Sequence, residues 1–535
     1  MTSESATRSA TAAWGDQIAV TQVGGVPLRM YSERPRRVEH LLQFADRWGA
    51  RPHIVQGERE VTFDGLRLAI AAKATQLRGL GVGYGDHVLL LGWNSPDWVV
   101  NFWACLQIGA VPVLANAWWS EGEVADALAA LRPTVTLADA HGAEKMPPGW
   151  RRGSWETELS SGGGPVGDVT DHQARSLDEE DPAVVIFTSG TEGQPKAVVL
   201  SHRSLLAGLQ MLLHVSRRLP HQIDETSGDV ALHTGPLFHI GGVQTLIRAI
   251  TVGDTLVMPQ GRFDPAEALR LIEHYKITRW SAVPTMVSRV LDHPDARKRD
   301  LHSLRSVTVG GAPVHAEFLE RIRAGLPGAQ ARVPTGYGLT ENGGQATAAS
   351  GRDTAERPGS SGRPLPCVEL KFLARPGLPD GEILVRSPTQ MTGYCGTEQS
   401  PIDEEGWLHT GDLGHLDDAG HLWITGRSKD MIIRGGENIA PAAVERALTS
   451  IPGIVEVAVI GVPHPELGEE VMAFVVVEGE QQTGEQIEAQ LRGSVASFAV
   501  PSRWRVQQEP LPTNHAGKVD KAALAVLART EHQGA

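Results

Sequence analysis

The sequence contains AVVIFTSGTEGQPK at residues 183–196, where an apolar run passes directly into a loop rich in glycine and hydroxyl side chains. The apolar part, 183–187, follows Pro182 and is typical of a buried β-strand. The loop offers two glycines, three hydroxyl groups and, six residues after the first glycine, Lys196. Exposed backbone N–H groups and hydroxyls can surround phosphate oxygens. The stretch is not a Walker A sequence, because the Gly-Lys-Ser/Thr ending is missing, and taken alone it also fits a flexible loop.

Helix and strand patterns alternate on both sides of this loop. Residues 120–123 form a capping-box pattern, which apolar residues at helical spacing follow. An Asp-Pro pair at 264–265 is the typical start of a second amphipathic helix. The segments 278–283 and 305–309 have the pattern of strands. This alternation predicts an α/β fold with a parallel sheet covered by helices on both faces.

Helical periodicity stops near residue 356. Short strand candidates at 369–372, 382–386 and 422–425 lie between turns rich in Gly, Pro and Asp. We therefore predict a large N-terminal domain at 1–425, of which 356–425 forms a small β-rich subdomain.

A third pattern begins after residue 425. It contains a short helix at 441–448, strands at 454–460 and 471–477, and a helix that Thr483 caps. We predict a small α+β C-terminal domain over 426–535.

Composition excludes several classes of protein. The chain has 535 residues, of which 41% are hydrophobic and 21% charged, as in a multidomain globular protein. Lys and Arg number 49 against 63 Asp and Glu, and the resulting net charge of −14 argues against a nucleic-acid binder. Three widely separated cysteines form neither a disulfide framework nor a cysteine zinc site, and they fit a reducing, cytoplasmic location.

The most apolar stretch, 88–119, is interrupted by polar residues and does not reach the ~20 apolar residues of a transmembrane helix. Residues 1–14 lack the apolar core of a signal peptide, so we expect a frayed tail there. These patterns leave peripheral membrane contact and oligomeric state open.

Several further motifs occur in a fixed order along the chain. They are Gly85-Asp86 with Asn94, Gly109-Ala110, PLFHIGG at 236–242, GGAP at 310–313, YGLTE at 337–341, Gly406-Trp407, TGD at 410–412, GRSKD at 426–430, GGEN at 435–438 and Gly517-Lys518. Together with the 188–196 loop, these motifs resemble the adenylate-forming superfamily of acyl-CoA synthetases and AMP-dependent CoA ligases, and the resemblance covers nearly the whole chain.

The resemblance implies a reaction in two halves. A carboxylate attacks the α-phosphorus of ATP and forms an acyl-AMP and pyrophosphate, and a thiol then attacks the acyl carbon and releases AMP. Glu341 would bind Mg²⁺, and Thr340 would hydrogen-bond the α-phosphate. The residues expected to hold the β- and γ-phosphates are Thr188, Ser189, Gly190, Thr191 and Lys196.

Two further groups of residues are assigned through the same resemblance. Asp412 would accept hydrogen bonds from the ribose hydroxyls with help from Arg427. The adenine would lie between Tyr337 and the small residues Gly311, Ala312 and Pro313, although core packing is an ordinary alternative for Tyr337.

The C-terminal domain would supply mobile parts. The resemblance implies that Lys518 bridges the carboxylate and α-phosphate oxygens during the first half-reaction. Lys429, in the hinge at 426–430, would allow the domain to rotate. The rotation would bring Gly435, Gly436 and Glu437 to the active site, where they would line the passage for the CoA pantetheine.

His239 matches the segment that gates the acyl pocket in acyl- and aryl-CoA ligases. Its neighbours Phe238 and Ile240 offer no carboxylate for a substrate ammonium, which argues against an amino acid. The implied protein is thus an ATP- and CoA-dependent ligase for a hydrophobic acid, either fatty or bulky, such as a steroid side-chain acid. Loading of an acyl carrier protein and a non-catalytic nucleotide-binding role are the alternatives.

Overall fold

The fold is described in a computed structural model. The structure describes residues 14–157, 178–188, 195–310, 314, 316–329, 333–374, 380–435, 437–478, 482–514 and 517–532.

A six-stranded sheet, here called sheet A, forms one half of the large domain within the described chain. Its pairings are parallel except at the two strands that end one edge, which run antiparallel to their neighbours. In spatial order the strands are Gly393–Tyr394, Lys196–Ser201, Pro182–Thr188, Val111–Leu114, His87–Leu91 and Val135–Ala138.

A second six-stranded sheet, sheet B, forms the other half. It is parallel apart from one antiparallel edge strand. In spatial order its strands are Ser306–Val309, Arg279–Ala282, Val230–His233, Thr255–Val257, Pro52–Gln56 and Arg59–Thr62.

The alternation of side chains along the strands sorts the core into layers. In sheet A, Leu90 belongs to the main core, where helices fill the space between the two sheets, whereas Leu89 and Leu91 face the opposite side. That opposite side is covered by the helix Glu121–Leu131. Sheet B is likewise covered on its outer face by the helix Pro265–His274 and two neighbouring helices. The predicted parallel arrangement with helices on both faces is therefore confirmed.

The helices start where the sequence offers caps. Ser120 and Glu123 form the predicted capping box, with hydrogen bonds in both directions. Asp264 accepts a hydrogen bond from the backbone N–H of Ala266, as its position before Pro265 predicts. The α-helices of the large domain are Ala45–Trp48, Phe63–Gly79, Pro96–Gln107, Glu121–Leu131, Ala140–Glu144, His202–Val215, Ile240–Val252, Pro265–His274, Pro284–Asp292, Ala316–Gly325 and Gly351–Glu356.

The β-rich part of the large domain is an antiparallel sheet, sheet C. Its strands are Glu369–Leu373, Gly381–Arg386, Leu408–Leu416 and Leu422–Arg427. Shorter strand pairs accompany the main sheets: Ile18–Val23 with Val26–Tyr31, Gly338–Leu339 with Gly344–Gln345, and Thr347–Ala348 with Arg363–Pro364.

The C-terminal domain is a separate α+β unit. A 3-10 turn, Ser428–Asp430, connects the last strand of sheet C to it. Its sheet, sheet D, consists of Glu437–Ile439, Ile432–Arg434, Gly468–Val477 and Ile454–His464, with Arg503–Gln507 paired to the strand Gly468–Val477. Its α-helices are Pro441–Thr449, Gly484–Leu491 and Lys521–His532, and Thr483 caps the second one as predicted.

None of the helices in the described ranges combines the length and apolar character that crossing a membrane requires. Cys105, Cys367 and Cys395 are free thiols, and the first two are buried.

Three buried histidines give the fold a characteristic pH dependence. Burial lowers the pKa of His53, His233 and His239 from 6.5 to about 4 in each case. The unfolded chain therefore binds more protons than the native one between about pH 6.5 and pH 4, and stability is lost as the pH falls through that window.

We expect the apparent unfolding temperature, measured by thermal scanning, to decrease as the pH is lowered from 7 to 5. In His53→Asn the amide can replace the hydrogen bond from Nδ1 to the Asp254 carbonyl but cannot be protonated, so the fall should be shallower than in the wild type. A variant with an unchanged slope would contradict the assignment.

Candidate active site

The two ends of the phosphate-loop motif are held together by strand pairing. Thr188 and Lys196 lie opposite each other on adjacent antiparallel strands of sheet A. The register brings the hydroxyl of the first motif residue and the ammonium of the last one to the same end of the sheet. Ser189, Gly190 and Thr191 lie outside the described residues.

Tyr394 links Lys196 to Glu341. The Nζ atom of Lys196 lies 5.2 Å from the centroid of the Tyr394 ring, within the range of a cation–π contact. The Tyr394 hydroxyl donates a hydrogen bond of 3.1 Å to Oε1 of Glu341. Burial, together with the nearby Glu341 carboxylate, raises the pKa of Tyr394 above its ordinary value. The lysine expected to hold phosphates and the carboxylate expected to hold magnesium are thus fixed by one aromatic side chain.

Sequence reasoning missed Tyr394. It lies in a two-residue strand, Gly393–Tyr394, that adds to the edge of sheet A next to the strand bearing Lys196. A Gly-Tyr pair after a turn carries no chemical signal by itself. Only the order of the strands brings this tyrosine beside the phosphate loop.

Glu341 stands in the 3-10 turn Thr340–Asn342, and its backbone carbonyl accepts a hydrogen bond of 2.9 Å from the N–H of Met391. In the part of the chain that the structure describes, no group of three or more His, Cys, Asp or Glu side chains is placed to hold a metal ion. One carboxylate fits an Mg²⁺ ion that arrives with a nucleotide and takes its other oxygen ligands from phosphates and water. Thr340 stands beside Glu341 in the same turn, as the sequence predicts.

Asp412 is buried and both of its carboxylate oxygens are engaged. Oδ2 accepts a hydrogen bond of 2.6 Å from the Tyr337 hydroxyl, and Oδ1 accepts one of 2.6 Å from Nε of Arg427. Each carboxylate oxygen can accept a further hydrogen bond, so the group keeps acceptor capacity in a fixed orientation. Arg427 is paired with Asp412 directly across adjacent strands of sheet C.

Tyr337 is 8% exposed and packs in the hydrophobic core between sheet C and its neighbours. Its pKa is raised well above the ordinary value, mainly by burial and to a lesser extent by the nearby Asp412 carboxylate. The hydroxyl therefore stays protonated and donates to Asp412. Gly311, Ala312 and Pro313, the other residues assigned to the adenine, lie outside the described residues.

Lys518, in the C-terminal domain, lies within electrostatic range of Asp412 and Arg427. Its side chain retains solvent contact, yet the surrounding protein and the charge of Arg427 lower its pKa, while the carboxylate of Asp412 opposes that shift. Lys518 adds to the effect of burial in lowering the pKa of His239 to about 4, so the two side chains lie within electrostatic range of each other. The imidazole is neutral at physiological pH, and its buried Nε2 has no hydrogen-bond partner among the described residues.

The remaining predicted residues of the C-terminal domain lie in the connecting turn and at the edge of sheet D. Lys429 is exposed in the turn between sheets C and D. Gly435 adopts φ +58°, and its N–H donates to the carbonyl of Leu467 in the same domain. Glu437 is exposed, and Gly436 lies outside the described residues. Lys518 is thus the predicted residue of this domain that lies within electrostatic range of Asp412, Arg427 and His239.

Two family models match the chain. One described as AMP-binding enzyme matches residues 41–395, and one described as AMP-binding enzyme C-terminal domain matches residues 443–518.

Individual proteins are similar over almost the whole length. 3-[(3aS,4S,7aS)-7a-methyl-1,5-dioxo-octahydro-1H-inden-4-yl]propanoyl:CoA ligase of Mycobacterium tuberculosis is 34% identical over 499 residues, which cover 89% of this chain and 95% of the relative. Feruloyl-CoA synthase of an Amycolatopsis species is 33% identical over 493 residues, 88% of this chain and 96% of that enzyme. Among solved structures, o-succinylbenzoate coenzyme A synthetase from Bacillus subtilis in complex with ATP and magnesium has a TM-score of 0.74 and 28% identity, with 90% of this chain and 97% of that chain covered.

Replacement of the lysine at the domain interface tests its role in acyl-AMP formation. We expect Lys518→Ala to slow acid-dependent pyrophosphate release by about 10²- to 10³-fold, because a preorganised positive charge is lost where negative charge accumulates. Thioester formation from supplied acyl-AMP should change far less. Equal losses in both assays would contradict the assignment.

The contribution of Tyr394 is tested with Tyr394→Phe, which removes the hydrogen bond to Glu341 and keeps the ring beneath Lys196. We expect KM for MgATP to rise roughly 2- to 10-fold, the effect of one hydrogen bond, in a titration of pyrophosphate release. The reaction of supplied acyl-AMP with CoA is the internal control, because it uses neither the β- nor the γ-phosphate. An unchanged KM would contradict this role.

Proposed function

The chain belongs to the AMP-binding enzyme family and is an AMP-forming acid–CoA ligase, and we propose that the acid it activates is hydrophobic and carries a bulky ring system. The observation that carries this proposal is a neutral His239, within electrostatic range of Lys518, whose neighbours Phe238 and Ile240 offer no carboxylate.

The first half-reaction joins two anions, so charge neutralisation dominates its requirements. We assign Thr188 and Lys196, with the rest of the phosphate loop, to the β- and γ-phosphates. Magnesium bound with ATP would be held by Glu341 and would supply further positive charge at the phosphates. Lys518 would bridge the attacking carboxylate oxygen and the α-phosphate. A carboxylate oxygen then forms the new bond to the α-phosphorus while the bond to pyrophosphate breaks.

The nucleoside is assigned to Asp412. Its orientation is fixed by Tyr337 and Arg427, so its remaining lone pairs can accept hydrogen bonds from ribose hydroxyls without prior rearrangement. This fixed orientation supports the assignment of the described conformation to the adenylation step.

The second half-reaction requires a different position of the C-terminal domain. We propose that rotation about Lys429 withdraws Lys518 and brings the turn at Gly435, Gly436 and Glu437 toward the acyl-AMP. The CoA thiolate would then attack the acyl carbon, and AMP would leave with the electron pair of the anhydride bond.

The hydrophobic character of the acid is supported by the residues around His239. His239 packs against the ring of Phe238, with the two centroids 4.8 Å apart, and burial keeps its imidazole neutral. Uncharged side chains of this kind suit an apolar group. Residues 238–240 contain no carboxylate that could pair with a substrate ammonium.

The ring system is supported by the relatives. Both enzymes named above act on an acyl group in which a ring carries a three-carbon acyl chain, one on a bicyclic octahydroindene propanoyl group and one on a feruloyl group. A fatty acid would fill the same kind of space with a flexible chain and is the competing substrate class. An acyl carrier protein is the competing acceptor. Retention of Lys518, Glu341 and Asp412 disfavours a non-catalytic role.

A panel of acids tests the proposal through the formation of AMP in the presence of ATP, Mg²⁺ and CoA. The panel compares fused-ring propanoic acids, hydroxycinnamic acids and saturated fatty acids, with amino acids as the negative class. We expect the highest kcat/KM for a ring-bearing acid. A preference for fatty acids would contradict the ring assignment and keep the ligase activity, whereas transfer to a carrier protein but not to CoA would contradict the acceptor.

A further inference from the structure

Thr285 makes a direct hydrogen bond between the two domains beside Lys518. It stands in the first turn of the helix Pro284–Asp292 in the large domain. Its Oγ1 donates a hydrogen bond of 2.8 Å to the backbone carbonyl of Gly517. Because Gly517 immediately precedes Lys518, this bond joins the large domain to the backbone that carries the lysine.

The segment that carries Lys518 is a closed turn. The N–H of Asn514 donates to the carbonyl of Lys518 at 2.7 Å, and the N–H of Gly517 donates to the carbonyl of Asn514 at 2.9 Å. The N–H of Lys518 donates to Oδ1 of Asn514 at 3.1 Å. Three hydrogen bonds therefore tie the turn together, and a force on Gly517 is transmitted to the Lys518 backbone.

Thr285, the donor of the hydrogen bond to Gly517, is held in place by the large domain. Thr285 follows the strand Arg279–Ala282, which is paired on both sides within sheet B. Val283, between the strand and the helix, packs so closely that a Cβ added to Gly517 would lie 3.1 Å from Val283 Cγ2. Gly517 also has φ +75°, a conformation that favours glycine. The approach of the two domains at this point thus has little freedom.

We propose that Thr285 is a positioning residue for acyl-AMP formation, which it favours by holding the Lys518 turn against the large domain. This inference rests on the proposed function. Rotation of the C-terminal domain must break the bond, because Gly517 moves with Lys518. Thr285 therefore stabilises one of the two conformations and contributes nothing to thioester formation.

The test measures the two half-reactions separately in the full-length enzyme. Thr285→Val keeps the shape and removes the hydroxyl. We expect the ratio of acid-dependent pyrophosphate release to thioester formation from supplied acyl-AMP to fall roughly 3- to 10-fold, the factor that one hydrogen bond supplies. Thr285→Ser keeps the donor and should restore most of the ratio.

Thr449→Val is the matched control. Thr449 also donates from its hydroxyl to a backbone carbonyl, that of Glu445 at 2.7 Å, but within one helix of the C-terminal domain. It should leave the ratio unchanged. The inference is overturned if Thr285→Val leaves the ratio unchanged, if both half-reactions fall equally, or if Thr285→Ser behaves like Thr285→Val.

The wild-type enzyme is assayed first with its preferred acid. Failure to form any acyl-AMP would contradict the proposed function itself. Normal wild-type activity with an unaltered ratio in Thr285→Val would contradict only the role of Thr285.

Discussion

Coulombic repulsion between a carboxylate and a polyphosphate is the constraint around which this site is organised. The chain has a net charge of −14, so its overall field does not attract these anions, and positive charge must be placed locally. We propose that Lys196, Arg427 and Lys518, which lie in three different parts of the fold, supply it. Two of these cations are held by oriented neighbours, Tyr394 beside Lys196 and Asp412 beside Arg427. Fixed positive charge of this kind needs little reorganisation during the reaction.

The third cation, Lys518, differs because it belongs to the C-terminal domain, which we propose moves between the two half-reactions. The first half-reaction takes place at the α-phosphorus and the second at the acyl carbon, and the proposed mechanism brings a different part of the C-terminal domain to the site for each. The layered sheets A and B provide a stiff body, while a single connection at Ser428–Asp430 joins it to the C-terminal domain. A single hydrogen bond such as that from Thr285 to Gly517 is compatible with the proposed rotation, because little free energy is needed to break it.

The same division between stiff and movable parts accounts for the different contacts of Tyr394 and Thr285, two residues that lie outside the sequence motifs. Tyr394 fixes groups that stay within the large domain, and it does so through a ring contact and a hydrogen bond to buried or packed elements. Thr285 acts across the domain interface through one hydroxyl. Neither carries charge, and both act by placing residues that do.

The sequence by itself determined the local elements and the chemical inventory. Capping residues such as Ser120 and Asp264 satisfy backbone groups within a few positions, so the pattern around them already predicts where helices begin. The strand at 183–187 and the change of pattern near residue 356 are likewise local signals. The order of the motifs was enough to indicate the family.

Only the tertiary structure decided which distant residues meet. Tyr394 and Glu341 are 53 residues apart, and Thr285 and Gly517 are 232 apart. These contacts depend on the order of strands in sheet A and on the orientation of the C-terminal domain. Periodicity records how one segment distributes its own side chains between core and solvent, and it carries no information on which segment packs against another. The motif residues could therefore be named from the sequence, whereas the residues that position them could not.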